Sequence, residues 1–374
     1  MLEPTDSELI IANLLIMLWA IVFIVATKYV KEKKTESVDR VNNTVDVKYD
    51  KMLLLAIVSI ALTVYKIASI GLLQLLSRDT SVGENPTFSS SSQILNHSIN
   101  AFVVLCFAFS CLLNRKEKHS ILLFVSTVCM LICCFPTGTA RYNAATVYFA
   151  AIIFLFQKFI KGRRFTYIFI LGLIIVFPML DAFRRNSFLD ADIFGYAAEV
   201  FADYSNYFTE GHYDAYAMLI RTVKYVSSHG FTWGYQLIGD IFFFVPRTVW
   251  ASKPIGTGAM IMNDLNADFT NVSAPLPAEG YINFGILGLL LFAFVLGFVV
   301  KKFDNYYWSN YNYVLIGQYR ALDVFYPYFI SLLFFMLRGD LMSSTAYTAA
   351  YFIVCIFISK FYFGTTHKPL LTYD

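Results

Sequence analysis

Nine stretches of the chain are apolar for about as long as a bilayer's hydrocarbon core is thick, and this property constrains the fold more than any other. They run roughly over 8–27, 52–76, 95–113, 120–135, 144–160, 165–181, 281–300, 322–340 and 341–363. A helix of about 20 residues crosses such a core, and in lipid only helices and closed barrels satisfy every backbone N–H and C=O. Charged residues make up 15% of the 374-residue chain and hydrophobic ones 57%, against about a quarter charged in an ordinary soluble domain. A soluble globular fold is excluded. The expectation is an all-α polytopic membrane protein with about nine transmembrane helices.

Charge placement orients the spans. Glu3, Asp6 and Glu8 precede the first run, and Lys28, Lys31, Lys33 and Lys34 follow it, the reverse of a cleavable signal peptide. Positive charge collects on the cytoplasmic side, so the amino terminus is expected outside. Lys and Arg then recur on every second connection, in 28–51, 114–119, 157–164, 301–320 and the tail. Nine spans with an outside start and an inside end fit that alternation. The chain therefore divides into helices one to six (1–181), a large extracytoplasmic loop (182–280) and helices seven to nine (281–374). Cys106, Cys111, Cys129, Cys133, Cys134 and Cys355 all lie in apolar runs and read as small packing residues.

Function is to be sought in 182–280, because a loop of that length is uncommon unless it carries a role. Within 212–228, Tyr213, Tyr216, Ala217, Ile220 and Val223 repeat at helical spacing while Asp214, Arg221 and Lys224 gather elsewhere, the pattern of an amphipathic helix on the membrane or the bundle. Leu237–Val245 is apolar but too short to span, and Pro246-Arg247 ends it; it reads as a re-entrant or interfacial piece. The cations assigned outside are Arg78, Arg141, Arg184, Arg185, Arg221, Lys224, Arg247, Lys253 and Arg338. Single residues of this kind can snorkel or pair with nearby acids. As a group they are suited to an anionic site, because guanidinium groups grip phosphate oxygens in a two-pronged way.

The segment Phe244-Val-Pro-Arg-Thr-Val-Trp-Ala-Ser-Lys-Pro-Ile-Gly256 precedes Pro275-Leu-Pro-Ala-Glu-Gly-Tyr-Ile-Asn-Phe-Gly285, and Arg338-Gly339-Asp340 follows near the end. With the Arg184-Arg185 pair after span six, these features resemble the oligosaccharide repeat-unit polymerases, the Wzy-type O-antigen and capsule polymerases of bacteria. The resemblance covers most of the second half; the first half matches only as a run of apolar helices. It implies a glycosyltransferase of the bacterial cytoplasmic membrane that works on its outer face. Such an enzyme transfers a growing glycan from undecaprenyl diphosphate to the next carrier-linked repeat unit. No nucleotide sugar, other cofactor or metal is implied. Its partners would be the lipid-linked oligosaccharide, the bilayer, and a chain-length regulator and flippase of the same pathway, with no nucleic acid. The resemblance assigns the diphosphate to Arg184, Arg185, Arg247 and Arg338, with Lys253 as helper and Asp340 beside them. The proton acceptor would be Glu279, Asp214 or His212, in that order.

Each residue has a structural alternative. Glu279 could pair with Lys253 or Arg247, Asp214 could belong to a solvated helix face, and Arg338 could pair with Asp340 across the Gly339 turn. His97, His212 and His229 stand singly without a second ligand at metal spacing, which argues against zinc. The tyrosines and tryptophans of the loop suit both sugar stacking and the membrane interface. A flippase for the same lipid-linked sugar, or a glycan ligase using the same donor, remains open on these residues. A transporter would ordinarily show internal repeats and charges at mid-span, whereas here Lys66 is the one basic residue deep within a run.

Overall fold

The computed structural model describes residues 4–30, 44–76, 90–157, 162–180, 214–267, 269–315 and 317–366, with isolated helical positions at 195, 198, 201 and 202. The regular structure of the described chain is helical apart from one short antiparallel pairing, β1 (Thr44–Val45) with β2 (Thr365–Thr366). Seven helices are long and apolar enough to cross a membrane: α1 (Asp6–Tyr29), α2 (Tyr49–Ile70), α4 (Ile94–Glu117 of a helix that starts at Ser90), α7 (Arg163–Leu180), α11 (Leu276–Leu315), α12 (Ala321–Arg338) and α13 (Leu341–Phe363). The protein is an all-α polytopic membrane protein. Between them lie α3 (Leu72–Leu76), α5 (Ser120–Cys133), α6 (Arg141–Leu155), α8 (Ala215–His229), α9 (Tyr235–Ile241) and α10 (Thr257–Asp264).

Each of the nine apolar runs carries a helix among the described residues, but two of these helices are shorter than the expected spans. At 1.5 Å per residue, the 14 residues of α5 and 15 of α6 reach only about 21–23 Å, against a core of about 30 Å. Cys134 and the Thr137–Gly138 turn end α5, and Phe156 ends α6. The opposite error occurs at 281–300, where α11 starts earlier and runs on to Leu315.

The chain forms two units, each built from non-contiguous stretches. The first comprises 1–33, 208–308 and 332–348; the second comprises 34–207, 309–331 and 349–374.

In the second unit α4 is the central helix, with Val103 to Phe109 buried almost completely. α2 turns the stripe Met52, Leu55, Ala56, Ser59, Thr63 and Lys66 inward, a spacing that keeps one helix face toward its neighbours. Its other side leaves Leu54, Ile57, Val64 and Tyr65 exposed, as a lipid-facing surface requires. Lys66 is buried and donates to Asn100 Oδ1 at 2.7 Å and to the Cys133 carbonyl at 3.3 Å, so an amide and a backbone dipole compensate its charge. All six cysteines are buried free thiols. An apolar cleft of about 510 Å³ opens between α6 and α7, with Ala145, Tyr148, Phe149, Ile168 and Leu171 in its lining.

In the first unit α1 begins with a capping box, in which Thr5 Oγ1 accepts from Glu8 N and Glu8 accepts from Thr5 N. That satisfies two N–H groups the helix leaves open. Ala12, Leu15, Trp19 and Ala26 form its buried stripe. Ala26 and the Phe23 carbonyl lie where a side chain at Gly297 would stand, 2.9 and 2.6 Å from its Cβ position. Small residues at such a crossing let membrane helices approach closely. α8 packs on α1 and α11 through Leu219, Ile220 and Val223, and Tyr216 reaches Asn13 Oδ1 at 3.0 Å.

Candidate functional site

Glu279 stands on a short opening segment of α11 that doubles back on the rest of the helix. Phe284 (φ −143°, ψ 23°) and Gly285 (φ 63°, ψ −144°) interrupt the helical geometry. A non-glycine residue is strained at such a positive φ, and a Cβ there would also stand 2.8 Å from the Phe231 ring. The break brings Gly280 against Gly288: a Cβ on Gly288 would lie 2.1 Å from the Gly280 carbonyl oxygen. Asn283, fully buried, fastens the bend by donating to the Glu279 carbonyl (2.9 Å) and accepting from Thr232 Oγ1 (3.1 Å) and Leu237 N (3.3 Å). The Asn283-Phe284-Gly285 sequence is thus a hinge that carries Glu279 inward.

Glu279 is 1% exposed and uses both carboxylate oxygens. Oε2 accepts from Thr257 Oγ1 at 2.7 Å, and Oε1 accepts from Leu341 N at 3.1 Å. Its partners are therefore a hydroxyl and the first amide of α13, where the expectation had allowed Lys253 or Arg247. Asp340 caps the same helix end, with Oδ1 accepting from Ser343 N at 2.9 Å. Two carboxylates thus meet the N-terminus of α13, where unsatisfied amides and the helix dipole favour negative charge.

Arg338 does not pair with Asp340. Its Nη2 donates to Asp214 Oδ1 at 3.1 Å, and Asp214 Oδ2 accepts from Ser273 N at 2.9 Å. Asp214 is therefore no solvated helix face: it is 12% exposed at the start of α8 and bonded on both oxygens. Arg338 Nε is buried without a partner among the described residues. Gly339 permits the tight α12–α13 link because a Cβ there would collide with the Phe335 ring at 2.4 Å.

Arg247 and Lys253 are occupied with the backbone of their own turn. The Arg247 fork spans the Lys253 and Pro254 carbonyls at 2.5 and 3.0 Å, and Lys253 Nζ donates to the Phe243 and Val245 carbonyls at 2.6 and 3.1 Å. Burial, and then the neighbouring guanidinium, push the Lys253 ammonium below its ordinary pKa. Arg184, Arg185 and His212 lie outside the described residues.

α8 packs on helices, the second of the two placements expected for an amphipathic helix here, and buries Met218, Leu219, Ile220, Thr222, Val223 and Val226; Ile220 and Val223 belong to the expected stripe, Tyr216 is exposed, and Tyr213 lies outside the described residues. α9 matches the expectation of a non-spanning piece at 237–245. It is seven residues long and turns Gln236, Gly239 and Asp240 inward while Ile238 and Ile241 stay exposed.

Asp240 was not among the expected site residues. It is 2% exposed, and its Oδ2 has no hydrogen-bond partner among the described residues. Burial, followed by the negative charges of Glu279 and Asp340, pushes its carboxyl up to about 9. The linker after it ties the group together: Pro254 lies against Gly239, Gly256 against Asp340, and Thr257 bonds Glu279. A single acid inside the run Leu-Ile-Gly-Asp-Ile-Phe-Phe-Phe was the signal available, since ionisable groups in apolar stretches are seldom idle. Among the described residues, no group of three or more His, Cys, Asp or Glu is placed to hold a metal ion.

No family model, curated protein or solved structure matches the chain.

Proposed function

We propose that the protein is a membrane glycosyltransferase that polymerises undecaprenyl-diphosphate-linked oligosaccharide repeat units at the outer face of the bacterial cytoplasmic membrane. The observation that carries the reading is a convergence: Glu279, Asp214, Arg338 and Asp340, far apart in sequence, meet in one unit where α11 and α13 begin and α12 ends. The charge alternation along the chain assigns that end of these helices to the outside.

In this reading the acceptor sugar's hydroxyl oxygen attacks the anomeric carbon of the carrier-linked glycan. The C–O bond to the diphosphate breaks, and undecaprenyl diphosphate leaves with the electron pair. The hydroxyl proton passes to Glu279, whose oxygens each keep a lone pair beyond the bonds they accept. Arg338, with Nε and one nitrogen beyond its Asp214 bond, would offset the charge growing on the departing diphosphate. Asp214 then serves to hold Arg338, and Arg247 and Lys253 hold the turn that presents Thr257 to Glu279. Arg184 and Arg185, expected as further diphosphate ligands, lie outside the described residues and take no part in this reading.

A glycan ladder tests the reading. The gene is deleted in its host, complemented with wild type, Glu279→Ala or Arg338→Ala, and surface polysaccharide is resolved by gel with membrane expression checked. Single repeat units in the deletion, and expressed variants that restore no long chains, are the expected result. Carrier-linked units trapped on the inner leaflet would make the protein a flippase. Full-length polymer that is never attached to its final acceptor would make it a ligase.

A further inference from the structure

We propose that Asp240 and Glu279 hold one proton between them, Asp240 being the neutral acid that leaves Glu279 free to accept a proton from a hydroxyl substrate. Asp240 is a positioning residue in this scheme, acting through Glu279, and its link to a sugar hydroxyl rests on the polymerase reading above.

Three independent features carry the inference. Asp240 Oδ2 is sealed from solvent with no donor facing it among the described residues, which an ionised carboxylate tolerates poorly. Gln236, one turn earlier on the same face of α9 and likewise 2% exposed, also leaves Oε1 unpartnered, and its amide N–H goes to Met260 Sδ at 2.7 Å instead of to Asp240. Glu279, by contrast, receives an O–H on one carboxylate oxygen and an N–H on the other.

The charged groups around Asp240 do not supply a counter-cation. The charged groups that act on it most are Glu279 on α11 and Asp340 on the α12–α13 link, both carboxyl groups and neither a cation. Lys253 and Arg247, on the turn after α9, direct the donors described above to backbone carbonyls. Arg338 is directed at Asp214. Like charges in so dry a place cannot all ionise together, and one proton retained on the pair relieves the repulsion. In the transfer step the bookkeeping is simple: Glu279 gains the hydroxyl proton, Asp240 keeps its own, and release of one proton to water after product departure restores the pair.

Infrared titration of the full-length protein in lipid nanodiscs reads this directly. Wild type should show a protonated-carboxyl C=O band at neutral pH that persists into the alkaline range and is missing in Asp240→Asn. Removing the neighbouring charge with Glu279→Gln should lower the midpoint of that band by about one pH unit or more, a tenfold change in proton affinity. Should Asp240→Asn fail to accumulate, Asp340→Asn and Glu279→Gln report the same midpoint with Asp240 intact. A wild-type band unchanged by Asp240→Asn, or a midpoint indifferent to both neighbours, overturns the proposal. The glycan ladder is scored separately: coupled titration with no effect of Glu279→Gln on the polymer leaves the proton pair standing and removes the polymerase reading. Loss of polymer without coupling does the reverse.

Discussion

Replacing Arg338 and Asp214 singly and together separates a structural ion pair from a cation that touches substrate. The two groups meet at 3.1 Å, with side chains 31% and 12% exposed. At an effective dielectric constant near 20 the gross attraction over such a distance is about 5 kcal/mol, but desolvation and side-chain ordering offset most of it. Arg338→Ala leaves Asp214 with the Ser273 amide alone, which should cost about 1–3 kcal/mol. Asp214→Ala should cost a similar amount, and the double variant less than the sum by about 1–2 kcal/mol, because the pair is lost only once. Thermal unfolding in detergent at one fixed scan rate checks these values. The polymer readout is expected to break the symmetry. Loss of a charge-stabilising donor from a reacting site lowers rate by about 100- to 1,000-fold, so Arg338→Ala should abolish long chains while Asp214→Ala retains some, the arginine being displaced but present. Arg338→Lys should restore charge without the fork and recover part of the polymer. Equal losses in both single variants and no further loss in the double would refute the reasoning, since the pair would then act only as a brace. So would normal polymer from Arg338→Ala.

Asp240→Asn should flatten the dependence of stability on pH. The folded-state pKa of about 9 lies above the ordinary 3.8, so the folded chain holds an extra proton between those values. Stability therefore falls as pH rises through that window, by up to about 1.4 kcal/mol per unit, and levels off above it; melting curves from pH 5 to 9 should slope less steeply in the variant than in wild type. Gly285→Ala should be destabilised by about 1–3 kcal/mol from its positive φ, with the Phe231 contact adding to this, and should lose polymer because Glu279 shifts. Protein level and the glycan ladder read both effects. Arg247→Lys can bridge only one of the two carbonyls, so about 1 kcal/mol should be lost, and limited proteolysis should cut sooner near 247–256. Gly297→Leu should separate α1 from α11 and lower the melting temperature by several degrees, whereas Leu291→Ala on the exposed face of the same helix should change it little.

The helices were legible in the sequence because composition and period act locally. Their lengths were less so, since α5 and α6 end at turns within or beside the apolar runs that the hydropathy pattern does not mark. Glu279, Arg338 and Asp340 could be singled out as charged residues at span ends and Asp214 as a charge of the large loop, but their partners could not. Asp214 bonds Ser273 and Arg338 at separations of 59 and 124 residues, and no local pattern encodes such pairings. Arg247 and Lys253 mislead in a different way. Their donors go to backbone carbonyls, which every residue carries, so nothing in the sequence distinguishes a cation closing a turn from one awaiting an anion. Asp240 escaped notice because its neighbours are apolar, and its meaning arises only when folding sets Glu279 and Asp340 beside it.

The contact between Gly280 and Gly288 also determines how this chain can diverge. Neither position accommodates a methyl group, Gly285 needs a positive φ, and Asn283 must both donate and accept to close the bend. Around them Tyr281, Ile286 and Leu287 carry no comparable restriction. Any distant chain folding this way should therefore keep glycines at these three spacings behind an acid and an asparagine, in the order Glu-Gly-x-x-Asn-aromatic-Gly-x-x-Gly, while the apolar helices on either side drift beyond recognition. That ten-residue signature gives kinship searches a handle that overall similarity does not provide.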